Sequence, residues 1–198
     1  SDGYAIARQL VSINKQVSVF SCETSDMSRD CQINYDICRN LGIPMENDIS
    51  ALEELIISHD VVIDAVFGTG LDKPLAAPYD KIINNINQYG KYIISVDIPS
   101  GINGSTGEAA GIAVKADRTV SFVTYKQGFL NYSAAEFLGK IKVVNIGLPE
   151  HVIKKFSNTV LMDKKYISSL LIPRLKYSHK GNFGHTLIIA GSPGFTGA

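Results

Sequence analysis

The stretch Ile93-Ile94-Ser95-Val96-Asp97-Ile98-Pro99-Ser100-Gly101 is a short, mostly apolar run that ends in a carboxylate and a Pro-Ser-Gly turn. A run like this, bounded by turn residues, is typical of a strand buried on both faces, as in a parallel sheet. Ligands of open α/β sheets bind just beyond the carboxyl ends of the strands. Asp97 is therefore a candidate functional residue, and an Asx-type turn to nearby backbone amides is its alternative role.

Strands and helices are predicted to alternate on both sides of this stretch. The predicted helices cover residues 4–13, 25–41, a short segment that starts with a capping box at 50–53, and 78–90, where Ile82, Ile83 and Ile86 form the buried face. The other predicted strands cover 17–21, 61–67, 120–123, 141–146 and 186–190. This alternation predicts an α/β fold, a three-layer, Rossmann-like, mostly parallel sheet with helices on both faces.

The composition favours small-molecule chemistry. The 198 residues include 19 Lys+Arg and 19 Asp+Glu, so no net field attracts nucleic acid or an anionic membrane surface. The three cysteines, Cys22, Cys31 and Cys38, are odd in number and lack zinc-site spacing, which indicates free thiols in a reducing cytoplasm. No apolar run approaches the roughly 18 residues of a membrane helix, and no signal-peptide pattern is present.

Asp64 lies inside the apolar run 61–67. An ionised carboxylate there costs several kcal/mol unless something pairs with it. Gly68-Thr69-Gly70-Leu71 follows at once, and glycines after a strand let phosphates approach backbone amides. A third glycine at dinucleotide-fingerprint spacing is missing, which argues against an ordinary nucleotide-binding dehydrogenase.

Two further positions could contact a ligand. Ser1-Asp2-Gly3 opens the first predicted helix, where free amides bind anions, although a plain N-cap is the alternative. Lys126 follows the predicted strand 120–123 and could face the same cleft as Asp97, although a solvated lysine is the alternative.

The character of the chain changes from Leu161 onwards. Residues 176–181 are basic and polar, and a glycine-rich stretch, 191–198, follows the predicted strand 186–190. We therefore predict one domain over 1–160 and the start of another over 161–198, in a piece of a longer protein. A single strand cannot satisfy its own edges, so residues 176–198 are expected to be poorly packed.

Four ordered motifs, at residues 2–8, 63–71, 95–101 and 116–122, resemble the NAD(P)H-hydrate epimerase domain. Residues 179–184 and 191–198 are similar to the opening of the ADP-dependent NAD(P)H-hydrate dehydratase domain, which has a ribokinase-like fold. Proteins of this family carry the two domains in that order and repair NADH or NADPH hydrated on the nicotinamide ring. The asparagines of the usual loop before the first helix precede Ser1, so one cation ligand is absent from this sequence, and a Ser stands where the second glycine is usual.

The resemblance implies roles for individual residues. Asp97 would be the acid/base group that contacts the hydrated cofactor, with Lys126 as its partner, and both are predicted to be catalytic. Asp64 and Ser100 would bind a potassium ion, since hard cations prefer oxygen ligands. The substrate-binding residues would be Ser1, Asp2, Gly68, Thr69, Gly70, Leu71, Asp72, Lys73, Pro74, Asp97 and Ala198.

The resemblance also implies ADP or ATP with magnesium as cofactors of the dehydratase in the full-length protein, a homo-oligomer, and a cytoplasmic location. Two alternatives are a nucleotide-binding Rossmann-like module without catalytic activity and a ribokinase-like carbohydrate kinase. A non-catalytic module would not need Asp64, Asp97 and Ser100 together, so their joint presence favours the enzyme.

Overall fold

A computed structural model describes residues 2–22, 27–71, 74–156, 159–171, 173, 175–191 and 193–194. The helices are α1 Asp2–Ser12, α2 Arg29–Asn40, α3 Leu52–Ile57, α4 Tyr79–Tyr89, α5 Ala135–Leu138, α6 Glu150–Phe156 and α7 Lys164–Leu170. The strands are β1 Val19–Phe20, β2 Met45–Glu46, β3 Val62–Asp64, β4 Ile93–Val96, β5 Arg118–Phe122 and β6 Lys140–Val144. Short 3₁₀ helices occupy Ile49–Ala51, Gln127–Leu130, Tyr132–Ala134 and Lys180–Phe183.

All strand pairs are parallel, which confirms the predicted α/β class. A four-stranded sheet has the order β3-β4-β5-β6, and β1 pairs with β2 in a second, two-stranded sheet. The parallel strands are thus divided between two sheets flanked by helices. In the larger sheet Asp64 is in register with Ser95, and Val96 with Val120. The carboxyl ends of β3, β4 and β5 consequently lie side by side.

Helices α3 and α4 pack against the larger sheet through one apolar cluster. Ile82, Ile83 and Ile86 of α4 are buried together with Ile93 of β4, which confirms the predicted buried face. Each buried Ile side chain contributes about 1.5–3 kcal/mol relative to an exposed one. This packing fixes the position of β4, whose carboxyl end carries Asp97.

Two predictions about local structure are wrong. The predicted strand 61–67 is shorter, since β3 ends at Asp64 and the amides of Val66 and Phe67 bond to the side chains of Asp64 and Ser100 instead of to a neighbouring strand. The capping box at Ser50 does not form. Instead, the Asp48 carboxylate accepts a 2.9 Å hydrogen bond from the Ser50 amide, and Ala51 precedes α3 without a side-chain cap.

The chain divides into two compact units, the first ending at Ile153 and the second beginning at Lys154, within α6. In the second unit the Asp163 carboxylate caps α7 by accepting a 2.7 Å hydrogen bond from the Tyr166 amide. The predicted strand 186–190 is wrong, since these residues are irregular and Leu187, Ile188 and Ile189 are 84%, 80% and 89% exposed. A strand needs a partner for its edges, and none of the paired strands in the described ranges comes from this unit. The ribokinase-like start therefore stays a prediction.

Cys22, Cys31 and Cys38 are free thiols, as predicted. Within the described ranges, no helix has both the length and the apolar character needed to cross a bilayer.

Candidate functional site

Asp64, at the end of β3, is a fully buried carboxylate whose oxygens are surrounded by donors. Oδ2 accepts hydrogen bonds from the Ser95 hydroxyl at 2.7 Å and the Ser100 amide at 2.9 Å. Oδ1 accepts from the Ser100 hydroxyl at 2.5 Å and the Val66 amide at 3.4 Å. Burial nevertheless raises the pKa of Asp64 above its ordinary value, because desolvation outweighs these hydrogen bonds. Hydroxyl and amide groups thus supply partners for the carboxylate that the sequence left unpaired.

Ser100 connects this carboxylate to the loop after β3. Its hydroxyl accepts a 2.9 Å hydrogen bond from the Phe67 amide while donating to Asp64, and the residue is 1% exposed. The Pro-Ser-Gly turn after β4 therefore holds the start of the Gly68 to Leu71 loop in place.

Asp97 follows β4 in a left-handed conformation, with φ at +64°. Asp tolerates this conformation better than most residues. Its amide donates to the Val120 carbonyl at 2.8 Å, and its Oδ1 accepts from the Phe122 amide at 2.9 Å. The carboxylate therefore bonds across to β5 and does not make the local Asx turn that was its alternative role.

Lys126 lies beside Asp97, and its Nζ is 2.6 Å from Oδ1 of that carboxylate. The two side chains are only 17% and 18% exposed, so Lys126 is a partly buried partner of Asp97 rather than a solvated lysine. Its ammonium also donates to the Phe122 carbonyl at 3.1 Å. A carboxylate and an ammonium held this close can move protons to and from a bound molecule.

The glycine loop after β3 is exposed. Gly68, Thr69 and Gly70 are exposed, and a Cβ built on Gly68 or Gly70 would meet no atom within 4 Å. A Cβ on Gly104 would lie 3.6 Å from the Thr69 side chain, so this loop borders the loop that follows Asp97. The N-terminus of α1 is also close, since a Cβ on Gly3 would lie 3.2 Å from that of Ala65.

The loops after β4 and β5 interlock. Gly107 has φ at +75°, and a Cβ on it would collide with the Gly128 carbonyl. The Gly128 amide donates to the Gly104 carbonyl at 2.8 Å, and the Asn131 side chain donates to the Thr106 carbonyl at 2.7 Å. This contact was not predicted, although Gly104 and Gly107 in the sequence are a signal of closely approaching backbone.

The structure brings Asp64, Ser100, Asp97 and Lys126 to one edge of the sheet. Among the remaining candidates for substrate binding, the structure describes Asp2, Leu71 and Pro74. Asp2 and Pro74 are exposed, and Leu71 is half-buried. Ser1, Asp72, Lys73 and Ala198 lie outside the described residues. Sequence reasoning missed Ser95, although a serine in an apolar strand beside Asp64 signals a donor. The contacts of the Phe122 backbone with Asp97 and Lys126 were also not predicted, because backbone contacts do not depend on residue type.

No group of three or more His, Cys, Asp and Glu side chains that could hold a metal ion occurs in the described parts of the chain. Asp64, the nearby serine hydroxyls and the backbone carbonyls are oxygen groups of the kind that hard cations prefer.

Comparison with known proteins shows a close relationship over the same residues. A family profile described as YjeF-related protein N-terminus matches residues 1–128. A Thermofilum pendens protein named bifunctional NAD(P)H-hydrate repair enzyme Nnr is 38% identical over 202 residues, which cover 100% of this chain and 38% of that protein. A Rhodopirellula baltica protein named NAD(P)H-hydrate epimerase is 33% identical over 158 residues, covering 79% of this chain and 65% of that one.

The chain thus spans well under half the length of the Thermofilum protein. Among solved structures, the crystal structure of yeast ynu0 matches with a TM-score of 0.65 and 19% identity, covering 82% of this chain and 69% of that one. At this identity the likeness concerns the fold alone.

Proposed function

Because the chain belongs to the family described as YjeF-related protein N-terminus, we propose that it interconverts the R and S epimers of hydrated NADH or NADPH. The names of the Thermofilum and Rhodopirellula relatives support this activity, and these matches confirm the resemblance seen in the motifs. The observation that carries the proposal is the ion pair of Asp97 and Lys126 at the end of β4, with 2.6 Å between the charged atoms.

Asp97 is the acid/base group in this proposal. Epimerisation interconverts two stereoisomers of one compound, so each proton taken from the hydrated ring is returned and no oxidant is consumed. Within the described part of the chain, both contacts to the carboxylate use Oδ1, from Phe122 and Lys126, which leaves Oδ2 to meet the substrate. Lys126 holds the carboxylate in place and supplies a positive charge beside the reacting group.

The loop from Gly68 to Pro74 binds the phosphates of the substrate in this proposal, together with Asp2 at the start of α1. The open space around Gly68 and Gly70 supports this role, because a ligand's phosphates can reach the backbone amides there. Ser1, Asp72, Lys73 and Ala198 remain predicted substrate-binding residues on the strength of the resemblance.

The experiment follows the conversion of purified R-hydrate of NADH to the S epimer by chromatography. Asp97→Asn keeps the shape of the side chain and removes the base, so the rate is expected to fall roughly 100-fold or more. Asp60→Asn is the matched control, because Asp60 is 96% exposed and pairs only with a surface lysine, Lys91, at 3.3 Å. A folded Asp97→Asn variant as active as Asp60→Asn contradicts the assignment.

We further propose that Asp64 and Ser100 contribute to a potassium site. The donor chemistry fits, since a buried carboxylate, a serine hydroxyl and the Phe67 carbonyl 3.4 Å from that hydroxyl are all oxygen ligands. A bound potassium ion would neutralise the buried carboxylate at the edge of the site. The melting temperature is then expected to be higher in potassium chloride than in tetramethylammonium chloride, and equally low in both salts for Asp64→Asn. Identical melting temperatures of the unaltered chain in the two salts contradict this proposal.

The whole protein is proposed to couple epimerisation to dehydration of the S epimer with ADP or ATP and magnesium. The relatives named bifunctional repair enzymes support this, since the chain matches only part of each. A cytoplasmic location and a homo-oligomer are also proposed, and sedimentation of the purified protein measures the oligomeric state.

A further inference from the structure

Val123, directly after β5, adopts a backbone conformation that its side chain disfavours. The described residues other than glycine with positive φ are Asn14, Asp97 and Val123, at +59°, +64° and +68°. Asn and Asp adopt this left-handed conformation several times more often than other residues, whereas a β-branched residue there is a genuine outlier. Strained backbone of this kind persists only where the surrounding structure fixes it, and it occurs preferentially at functional sites.

Hydrogen bonds fix the turn around Val123 from three directions. The Thr124 amide donates to the Phe122 carbonyl at 2.7 Å, which closes a tight turn centred on Val123. The buried Ser121 hydroxyl donates to the Thr124 carbonyl at 2.9 Å. The Val123 amide donates to the carbonyl of Val144, the last residue of β6, at 2.8 Å. The left-handed conformation is therefore an enforced feature of this strand end.

The residue before this turn contacts both members of the ion pair. The Phe122 amide donates to Asp97 Oδ1 at 2.9 Å, and the Phe122 carbonyl accepts from Lys126 Nζ at 3.1 Å. The peptide that carries this carbonyl ends at the Val123 nitrogen, so φ of Val123 determines the direction in which the chain leaves towards Lys126. A different φ would carry Lys126 away from the carboxylate.

We propose that Val123 is a positioning residue for the Asp97–Lys126 pair. Its left-handed conformation aims the Phe122 carbonyl at Lys126 while the Phe122 amide stays on Asp97. The three hydrogen bonds hold the turn in this arrangement against the preference of the half-buried, β-branched Val123 side chain. A role in epimerisation rests on the proposed function, whereas the geometric part of the inference does not.

The test compares three substitutions at one position. Val123→Asn and Val123→Gly both adopt positive φ readily, whereas Val123→Pro fixes φ at about −65° and removes the amide that donates to Val144. The kcat for epimerisation is expected to fall about tenfold in Val123→Pro with KM within about twofold, and to stay within about twofold in the other two variants. If side-chain packing alone mattered, Val123→Gly would lose as much activity as Val123→Pro, which overturns the inference.

A second readout is independent of activity. The side-chain ammonium of Lys126, observed by ¹⁵N NMR and assigned with Lys126→Arg, is expected to exchange slowly with water in the unaltered chain and in Val123→Gly. The same signal should broaden or vanish in Val123→Pro, because the Phe122 carbonyl and Asp97 no longer hold the ammonium. An unchanged signal or an unchanged kcat in Val123→Pro overturns the inference.

If Val123→Pro does not fold, Ser121→Ala provides the same comparison, since it removes the hydroxyl that holds the Thr124 carbonyl. The expected result is a smaller loss of kcat, about threefold, together with a broader ammonium signal, and no change in either measurement overturns the inference. Absence of epimerisation in every chain, including the unaltered one, refutes the proposed function, and the ammonium signal still decides whether Val123 positions Lys126.

Discussion

Replacing both members of the Asp97–Lys126 pair, singly and together, should reveal a large coupling free energy. At a separation of 2.6 Å and an effective dielectric constant of about 20, the two charges attract by about 6 kcal/mol before desolvation. Both side chains are less than a fifth exposed, so desolvation offsets much of this attraction. We expect a net coupling of about 1–3 kcal/mol, between the values typical of exposed and fully buried pairs.

The assay is urea unfolding of the unaltered chain, Asp97→Asn, Lys126→Met and the double variant, which together form a double-mutant cycle. Far-ultraviolet circular dichroism follows unfolding, because the chain contains no Trp to serve as a fluorescence probe. The matched control is the cycle for Asp60→Asn and Lys91→Met, a pair 3.3 Å apart whose side chains are 96% and 53% exposed. A coupling between Asp97 and Lys126 no larger than that of the control pair refutes the reasoning.

Three further outcomes are expected. Burial raises the pKa of Asp64, so between its unfolded-state and folded-state pKa the folded chain binds more protons than the unfolded chain. The free energy of unfolding should therefore fall as pH rises through the folded-state pKa. Asp64→Asn should lose this pH dependence in thermal melts, and an equal pH dependence in both chains contradicts the prediction. Desolvation, aided by the charge of Asp64, raises the pKa of Cys22 from 9.0 to about 11. Alkylation of Cys22 by iodoacetamide at pH 8 should therefore be about 100-fold slower in the folded chain than in the urea-unfolded chain. Comparable rates in the two states refute this prediction. Ser100→Ala removes a donor to Asp64 and an acceptor for the Phe67 amide. The free energy of unfolding from urea titrations should therefore fall by about 1–3 kcal/mol, and a change under about 0.5 kcal/mol contradicts this prediction.

Much of the fold could be predicted because its signals are local. The spacing of Ile82, Ile83 and Ile86 marks one face of α4, and these residues are buried. The apolar run at β4 likewise predicts a central strand, and β4 lies inside its sheet. Predictions failed where the outcome depends on a neighbour in space. The strand predicted over 61–67 ends at Asp64 because the next amides bond to side chains, and residues 186–190 form no strand in the absence of a paired neighbour.

The candidate site also has a part that could be predicted from the sequence and a part that could not. Asp97 could be selected as a functional residue from the rule that ligands bind beyond the carboxyl ends of parallel strands. The contact of Lys126 with Asp97 could only be offered as one of two alternatives, because the sequence does not show where the turn after β5 leads. The conformation of Val123 could not be predicted at all, since valine is among the last residues expected at positive φ.

The two carboxylates at this edge differ in burial and in hydrogen bonding, and these differences suit them to different roles. Asp64 is 1% exposed, and four donors from Ser95, Ser100 and Val66 occupy its two oxygens. These hydrogen bonds join neighbouring strands and loops. Asp64 would have to lose them to reach a substrate. The carboxylate of Asp97 is partly exposed, and its contacts with Phe122 and Lys126 converge on one oxygen. Proton transfer requires a group that can touch the reacting molecule. We therefore propose that the chemistry belongs to Asp97, and that the buried Asp64 determines where the loops that surround it begin.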